Sequence, residues 1–97
     1  MRMAERYGTE VSFRLGPNSV DQAREIAGEL AQAAVGAERH VLFLAEEAGE
    51  YGCLAEWTSF AAASGYSQRS ATVAALARLE TLTGKPPRVR LYAMEDM

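Results

Sequence analysis

The stretch that decides the fold is EYGCLAEWTSFA, residues 50–61. It begins as an alternating run, which is the pattern of a β-strand with two different faces. From Thr58-Ser59 onward the composition becomes that of a helix, Phe60-Ala61-Ala62-Ala63, and the only tryptophan, Trp57, stands at this change. The stretch therefore predicts a strand that leads directly into a helix, with a large aromatic side chain at the junction. Such a junction often lines one end of a pocket.

Before this stretch, the sequence predicts a strand, a helix and a second strand. Residues 9–15 alternate apolar and polar side chains, as a strand with one buried face does, and residues 1–8 are expected to be a partly ordered lead-in. Residues 20–34 carry apolar side chains three and four positions apart, which predicts a helix that ends near Gly36. Residues 40–47 form a short, nearly continuous apolar run, which is typical of a strand covered on both faces.

The sequence next predicts a hairpin turn, a second helical region and a last strand. Residues 48–50 are compact and contain glycine, which favours a hairpin turn into the central stretch. Residues 64–67 interrupt the helical composition, because their glycine weakens a helix. A second helix is then expected from about Ser70, and residues 88–94 alternate as a strand. The expected buried face of the second helix consists of Val73, Leu76, Leu79 and Leu82 or Thr83.

The order strand, helix, strand, strand, helix, strand predicts the α+β class and a ferredoxin-like βαββαβ fold. Right-handed crossovers place strands one and three at the centre of a four-stranded antiparallel sheet, with both helices on one face. The length of 97 residues is that of a single domain, 1–97, which can bury a core without disulfides.

Composition and charge restrict the classes of function. A net charge of −3 at pH 7 argues against nucleic acid or an anionic membrane as the main partner. Cys53 is the only cysteine, so neither an intrachain disulfide nor a cysteine-built metal site is expected. The sequence has no Gly-rich phosphate loop, nucleophile elbow or metal-ligand spacing. No run has the length of a signal-peptide core or a membrane span, which favours a cytoplasmic protein.

The face of the sheet that the helices leave uncovered is expected to be apolar. Strand alternation assigns Phe13, Phe43 and Trp57 to the helix side of the sheet. A contiguous apolar patch on the opposite face marks an interface, so we expect a homodimer whose sheets pack face to face about a two-fold axis. The alternative is a monomer with scattered exposed leucines. The helix-facing set is completed by Val11, Leu15, Val41, Cys53, Ala55, Val89 and Leu91. The interface set consists of Leu42, Leu44, Leu54, Tyr92 and Met94, together with Arg14, Glu46, Glu56 and Arg90.

At residues 55–61, AEWTSFA, the chain resembles the antibiotic biosynthesis monooxygenase superfamily, whose members end strand three in Glu-Trp and then enter a helix. The leucine-rich helix before Pro86-Pro87 also resembles that family, and the order of elements agrees over nearly the whole chain. The resemblance implies a dimeric α/β-barrel with a cavity between the sheet and the helices of each protomer.

The resemblance also implies a function. Members of the family oxidise electron-rich aromatic substrates with molecular oxygen, often without metal or flavin, so we expect a quinol or polycyclic phenol as substrate and no cofactor. The family's tryptophan corresponds to Trp57, whose indole N–H is expected to donate a hydrogen bond to a substrate oxygen. Tyr66 is the second expected catalytic residue. The residues expected to bind the substrate are Phe13, Phe43, Cys53 and Phe60.

Some residues depart from that family. Relatives that degrade haem use an asparagine on the first strand and a histidine in the second helical region. Here the first strand offers Ser12 and Arg14, and the only histidine, His40, stands at the start of the second strand. Relatives that oxidise anthrone-type polyketides carry an asparagine shortly before the tryptophan, where this chain has Gly52-Cys53. Haem degradation is therefore disfavoured.

These departures leave a second hypothesis open, a non-catalytic dimeric barrel that binds a small apolar ligand. On this hypothesis Trp57 packs in the core, Tyr66 is a loop aromatic and Cys53 is a small buried hydrophobe. Strand alternation points His40 away from the pocket, toward the dimer face or its rim, which favours a structural role for it.

Overall fold

The computed structural model describes residues 6–97, and it confirms the α+β class and the ferredoxin-like fold. In this part of the chain four strands form one antiparallel sheet in the order β2-β3-β1-β4, so strands one and three are central, as the crossover rule requires. The predicted second helical region is divided into a short and a long helix. The elements are β1 (Arg6–Arg14), α1 (Val20–Ala33), β2 (Arg39–Ala45), β3 (Glu50–Trp57), α2 (Phe60–Tyr66), α3 (Ser70–Thr83) and β4 (Arg88–Met94).

The first strand begins earlier than the sequence indicated. Residues 6–8 were expected in a lead-in, but they belong to β1, and Tyr7 pairs there with Trp57 on one side and Ala93 on the other. Alternation becomes visible only from residue 9, because Gly8 has no side chain to mark a face. The remainder of the expected lead-in, residues 1–5, lies outside the described residues.

The pairing of β1 with β3 fixes the two faces of the sheet. Tyr7 lies opposite Trp57, and Phe13 lies opposite Tyr51. Residues that lie opposite one another point to the same side, so these four belong to the side on which the helices pack. We call the other side the open face. From the two central strands, the open face carries Arg6, Gly8, Glu10, Ser12, Arg14, Glu50, Gly52, Leu54 and Glu56.

The prediction of which β2 side chains face the helices was wrong, because the two faces of this strand are exchanged. Leu42 lies opposite Cys53 and therefore on the helix side, whereas Phe43 lies opposite a residue of the open face. Side chains alternate along a strand, so a shift of one residue exchanges the faces of the whole strand. Leu42 and Leu44, expected at the dimer interface, lie on the helix side. Val41 and Phe43, expected under the helices, lie on the open face.

The strand β2 is also less covered than its apolar run indicated. It is an edge strand, and Phe43 and Leu44 are 45% and 46% exposed. An unbroken apolar run contains no alternation from which a face could be read, so the sequence could not orient it. The same register corrects the prediction for His40, which lies opposite Ala55 on the helix side and is exposed there.

The core lies between the sheet and the helices and has two parts. In the first, Phe13 stacks on Tyr51 with ring centroids 6.2 Å apart, and Leu30 of α1 and Leu79 of α3 pack against them. The second part surrounds Trp57 with small side chains. Its members are Ala33, Ala34, Ala55, Trp57, Ala63 and Tyr66.

The face expected to be buried in α3 is confirmed in part, since Leu79 is buried and Leu76 packs against the core. Thr72, Ala75 and Leu79 are buried, whereas Val73 and Leu82 are about half exposed. Ala75 and Leu79 join the core cluster that contains Ala23 and Leu30 of α1. Packing therefore selects the face with the smaller residues, which hydrophobicity alone does not reveal.

The turn between β2 and β3 is fastened to the end of β1 at Gly49. The Leu15 and Gly16 N–H groups donate hydrogen bonds to the Gly49 carbonyl at 3.0 and 3.2 Å. Gly49 has a φ of 70°, and a Cβ at this position would lie 2.5 Å from the Gly16 backbone. A side chain at position 49 would therefore push these two segments apart.

We predict that Gly49→Ala lowers the free energy of unfolding by about 1–3 kcal/mol, because it adds left-handed strain to a backbone clash. Gly28→Ala in α1 is the matched control. A Cβ at Gly28 would meet no atom within 4 Å, and alanine favours a helix interior by about 0.5–1 kcal/mol. Urea unfolding followed by tryptophan fluorescence measures both variants. Equal stability of Gly49→Ala and wild type would contradict this description of the turn.

Candidate functional site

Four aromatic side chains meet where β3 runs into α2, and we call Tyr7, Trp57, Phe60 and Tyr66 the aromatic cluster. The rings of Trp57 and Tyr66 have centroids 5.5 Å apart at 44°, and Phe60 meets Tyr7 edge to face at 5.8 Å. Trp57 and Tyr66 are almost wholly buried, whereas Phe60 is 58% exposed. The cluster thus has a buried half and an accessible half.

Both polar atoms of the buried half are hydrogen-bonded within the protein. Trp57 Nε1–H donates to Thr9 Oγ1 at 2.9 Å, and the Tyr66 hydroxyl donates to the Leu30 carbonyl at 3.1 Å. The first bond joins β3 to β1, and the second joins α2 to α1. A buried donor that loses its partner costs free energy, so either group would have to exchange an existing bond to reach a substrate.

The Arg69 side chain also contacts the Trp57 ring. Its guanidinium carbon lies 5.1 Å from the centroid of the Trp57 ring, within the range of a cation–π contact. Its Nη1 also donates to the carbonyls of Ala33 and Val35 at 3.0 and 2.8 Å. Those carbonyls stand at the C-terminal end of α1, where a positive charge is favourable. Arg69 therefore joins the end of α1 to the strand–helix junction.

Burial raises the pKa of two groups on this side of the sheet. It raises the pKa of the Cys53 thiol to about 12. The pKa of Tyr66 is also raised to about 12, first by burial and then by the nearby Cys53, while Arg69 acts in the opposite direction. Both groups are protonated near neutral pH, so neither acts as a base or a nucleophile there.

We predict that Tyr66→Phe changes the dependence of stability on alkaline pH. An unfolded tyrosine ionises near pH 10.0, whereas Tyr66 in the folded protein retains its proton up to about pH 12. Its contribution to stability is complete below pH 10 and is lost as the pH rises to about 12, because the unfolded chain releases the proton first. The unfolding free energy of Tyr66→Phe should therefore fall less steeply over this interval. Urea unfolding at a series of pH values measures the two slopes, and equal slopes would refute the assignment.

The residues expected to bind a substrate do not form one site. Phe13 and Cys53 belong to the first part of the core, on the helix side, and Phe60 lies at the accessible edge of the aromatic cluster. Phe43, expected with them under the helices, lies on the open face because of the register of β2. Of the expected catalytic pair, Trp57 and Tyr66, the structure does bring the two rings into contact.

A hollow of about 1010 Å³, which we call the trough, lies over one end of the open face. Its lining also includes Phe13, Tyr51, Thr83, Lys85, Pro86 and Pro87. Its floor follows one row across the sheet. Phe43 of β2 lies opposite Gly52 of β3, Gly52 lies opposite Ser12 of β1, and Ser12 lies opposite Arg88 of β4. Two small residues are thus flanked by an aromatic and a cationic side chain. These four residues come from four strands and meet only through the register, so no single segment of the sequence could reveal them.

A second hollow, of about 520 Å³, separates α1 from α3 and has an ion pair between Glu29 and Arg78 at its edge. Neither this cleft nor the trough is lined by Trp57 or Tyr66. Within residues 6–97, no group of three or more histidine, cysteine or acidic side chains is placed to hold a metal ion. The same part of the chain contains no helix that is long and apolar enough to cross a membrane.

The fold is similar to that of ferredoxin-like structures named as antibiotic biosynthesis monooxygenases. The residues around Trp57 predicted this resemblance. No family model matches the sequence, and no curated protein is similar to it. The similarity is to solved structures, and in the three described next it covers 95–97% of this chain.

Three solved structures illustrate the similarity in fold. A candidate antibiotic biosynthesis monooxygenase from Caulobacter crescentus CB15 has a TM-score of 0.70 at 16% identity, over 97% of this chain and 93% of that chain. One from Nitrosomonas europaea has a TM-score of 0.72 at 10% identity, over 97% and 94%. Rv0793 from Mycobacterium tuberculosis has a TM-score of 0.70 at 16% identity, over 95% and 97%. At such identities the likeness establishes the fold.

Proposed function

We propose that this protein is a monooxygenase that oxidises a small electron-rich aromatic compound, a quinol or polycyclic phenol, with molecular oxygen and without a cofactor. The observation that carries the proposal is the structural likeness to several proteins named for monooxygenase activity, over 95–97% of this chain and 93–95% of those chains. Fold alone does not determine activity, so the proposal also rests on the aromatic surface that this chain presents at the strand–helix junction.

The proposed chemistry balances without a further reductant. A substrate methylene flanked by phenolic rings loses a proton, and the resulting anion passes an electron to oxygen. The substrate radical and superoxide then combine through a C–O bond, and the resulting hydroperoxide takes up a proton. Its O–O bond breaks as the remaining C–H proton leaves, which gives a carbonyl and a molecule of water. Cys53 and Tyr66 are protonated near neutral pH, so the proton passes to solvent in this scheme. The protein's contribution is to bind, orient and partly dehydrate the substrate.

The accessible half of the aromatic cluster is the proposed place for the substrate. Phe60 is 58% exposed and meets Tyr7 edge to face, so a planar ring has an aromatic surface on which to stack. Trp57 and Tyr66 lie behind this surface, with their polar atoms bonded to the backbone and to Thr9. In this proposal they form a rigid wall that holds Tyr7 and Phe60 in place.

We predict oxygen consumption by the wild-type protein with a member of a panel of hydroquinones and anthrones. Phe60→Ala should lower kcat/KM about tenfold, because an aromatic stacking contact contributes about 1 kcal/mol beyond its area. Phe43→Ala is the matched control, since Phe43 is similarly exposed but lies on the open face. Absence of oxygen consumption with every substrate would end the oxygenase proposal, and equal losses in both variants would exclude this location.

A second candidate function is that of a non-catalytic barrel that binds a small ligand. It is favoured by the hydrogen bonds of Trp57 and Tyr66, which leave neither polar atom free. It is also favoured by the trough, which lies away from both residues. Ligand binding without oxygen consumption would distinguish this function from the first.

The open face supports a proposal for the homodimer that differs from the first expectation. Leu54 and Met94 meet over Gly8, where a Cβ would lie 2.9 Å from Leu54 Cδ1 and 2.6 Å from Met94 Sδ. Val41 and Tyr92 lie on the same face beside them. We propose that two copies pair through this apolar part of the open face, because a second copy offers the same patch about a two-fold axis.

We predict that Leu54→Glu gives a monomer in sedimentation velocity, because a carboxylate in an apolar interface loses its hydration. Leu44→Glu is the matched control and should remain dimeric, since Leu44 is exposed on the helix side. Circular dichroism confirms that each variant is folded. A monomeric wild type at micromolar concentration, or a monomer produced only by Leu44→Glu, would contradict the proposal.

A further inference from the structure

The trough lies one residue row away from the Leu54 patch proposed for the dimer and extends to the end of the sheet, where Lys85, Pro86 and Pro87 also line it. Phe43 forms one side on the edge strand β2, and Arg88 forms the other on the edge strand β4. Three strand spacings of about 4.8 Å separate their Cα atoms by about 14 Å. The two residues between them, Gly52 and Ser12, project least from the sheet. The Phe43 ring leans over Gly52, with its Cδ2 3.5 Å from the position of an added Cβ, so the free space lies above Ser12, between that ring and Arg88. Two strand spacings of about 4.8 Å leave about 10 Å there for a planar aromatic ring.

The carboxylates beside the trough already have partners. Glu50 pairs with Arg14 at 2.8 Å, and Glu10 accepts a hydrogen bond from the Tyr92 hydroxyl at 3.1 Å. Arg88, by contrast, forms no ion pair with any described residue. The charge left uncompensated on this side of the trough is therefore positive.

We propose that the trough binds a small aromatic carboxylate, with its ring against Phe43 and its carboxylate on Arg88. A guanidinium matches a carboxylate through two parallel hydrogen bonds, and Lys85, which also lines the trough, adds a second positive charge. A neutral ligand would cover Arg88 without pairing it, which is unfavourable. A cationic ligand would meet only carboxylates that are already bonded. The site is separate from the aromatic cluster and does not depend on oxygenase activity.

Calorimetric titration with 2-naphthoate tests this site directly. Arg88→Gln should weaken binding about tenfold or more, because it removes charge-assisted hydrogen bonds. Arg90→Gln is the matched control, since Arg90 is the same residue type on the same strand and face, one row further along and outside the trough. It should bind within about twofold of wild type, as an exposed charge that makes no direct contact contributes little.

Two further titrations distinguish specific binding in the trough from nonspecific electrostatic attraction of an anion. The neutral isostere 2-naphthamide should bind about tenfold more weakly than 2-naphthoate, and Phe43→Leu should weaken naphthoate binding by about threefold or more. The proposal is overturned if wild type does not bind 2-naphthoate, if Arg90→Gln weakens binding as much as Arg88→Gln, or if 2-naphthamide binds equally well. None of these titrations involves turnover, so an inactive oxygenase assay does not change their outcome.

Discussion

The antiparallel pairing of β1 with β3 is the constraint on which the rest of the structure depends. Tyr7 opposite Trp57 at one end, and Arg14 opposite Glu50 at the other, fix the register of the two central strands. Because side chains alternate with a period of two, this single register assigns every residue of the sheet to the helix side or to the open face. The core, the aromatic cluster and the trough are all consequences of that assignment.

Trp57 is the point at which this register is joined to the helices. Its indole N–H donates a hydrogen bond to Thr9 on the neighbouring strand, and its ring contacts both Tyr66 and Arg69. Arg69 in turn donates hydrogen bonds to the carbonyls of Ala33 and Val35 at the C-terminal end of α1. One side chain thus contacts β1, α2 and the segment that leads into α3. The tryptophan at the strand–helix junction has a structural role that accounts for its position without any substrate, and any catalytic role is additional to that one.

This arrangement has a consequence for function. On the helix side of the sheet the polar atoms of Trp57 and Tyr66 are hydrogen-bonded within the protein, whereas the open face retains both unpaired charge and accessible aromatic surface. A protein with the same fold as named monooxygenases can therefore present binding surface on both sides of one sheet. The Phe60 edge of the aromatic cluster and the trough beside Arg88 are chemically different, since the first is apolar and the second is cationic.

Much of the fold could be predicted from local pattern, and the site could not. β1 and β4 alternate, so their faces were readable, and the strand-to-helix change at Thr58-Ser59 located the junction correctly. β2 is apolar throughout, so its orientation was set by pairing with β3 and was missed by one residue. That error placed Phe43 on the wrong side of the sheet.

Other features depend on contacts between distant segments. α3 buries the small residues Thr72 and Ala75, although Val73 and Leu82 are more hydrophobic. The trough requires four residues from four strands to lie in one row. No sequence pattern within a single strand contains that information.

The most direct test of the account is a nitrogen-15 chemical-shift titration of the protein with 2-naphthoate. Trp57 supplies the only indole N–H signal of the chain, and the backbone amides of Ser12 and Gly52 report on the floor of the trough. The account predicts that these two amides shift with a saturable dependence on ligand concentration, while the indole signal stays fixed by its bond to Thr9. A shift of the indole signal with no change at Ser12 and Gly52 would contradict it, because the ligand would then lie between the sheet and the helices.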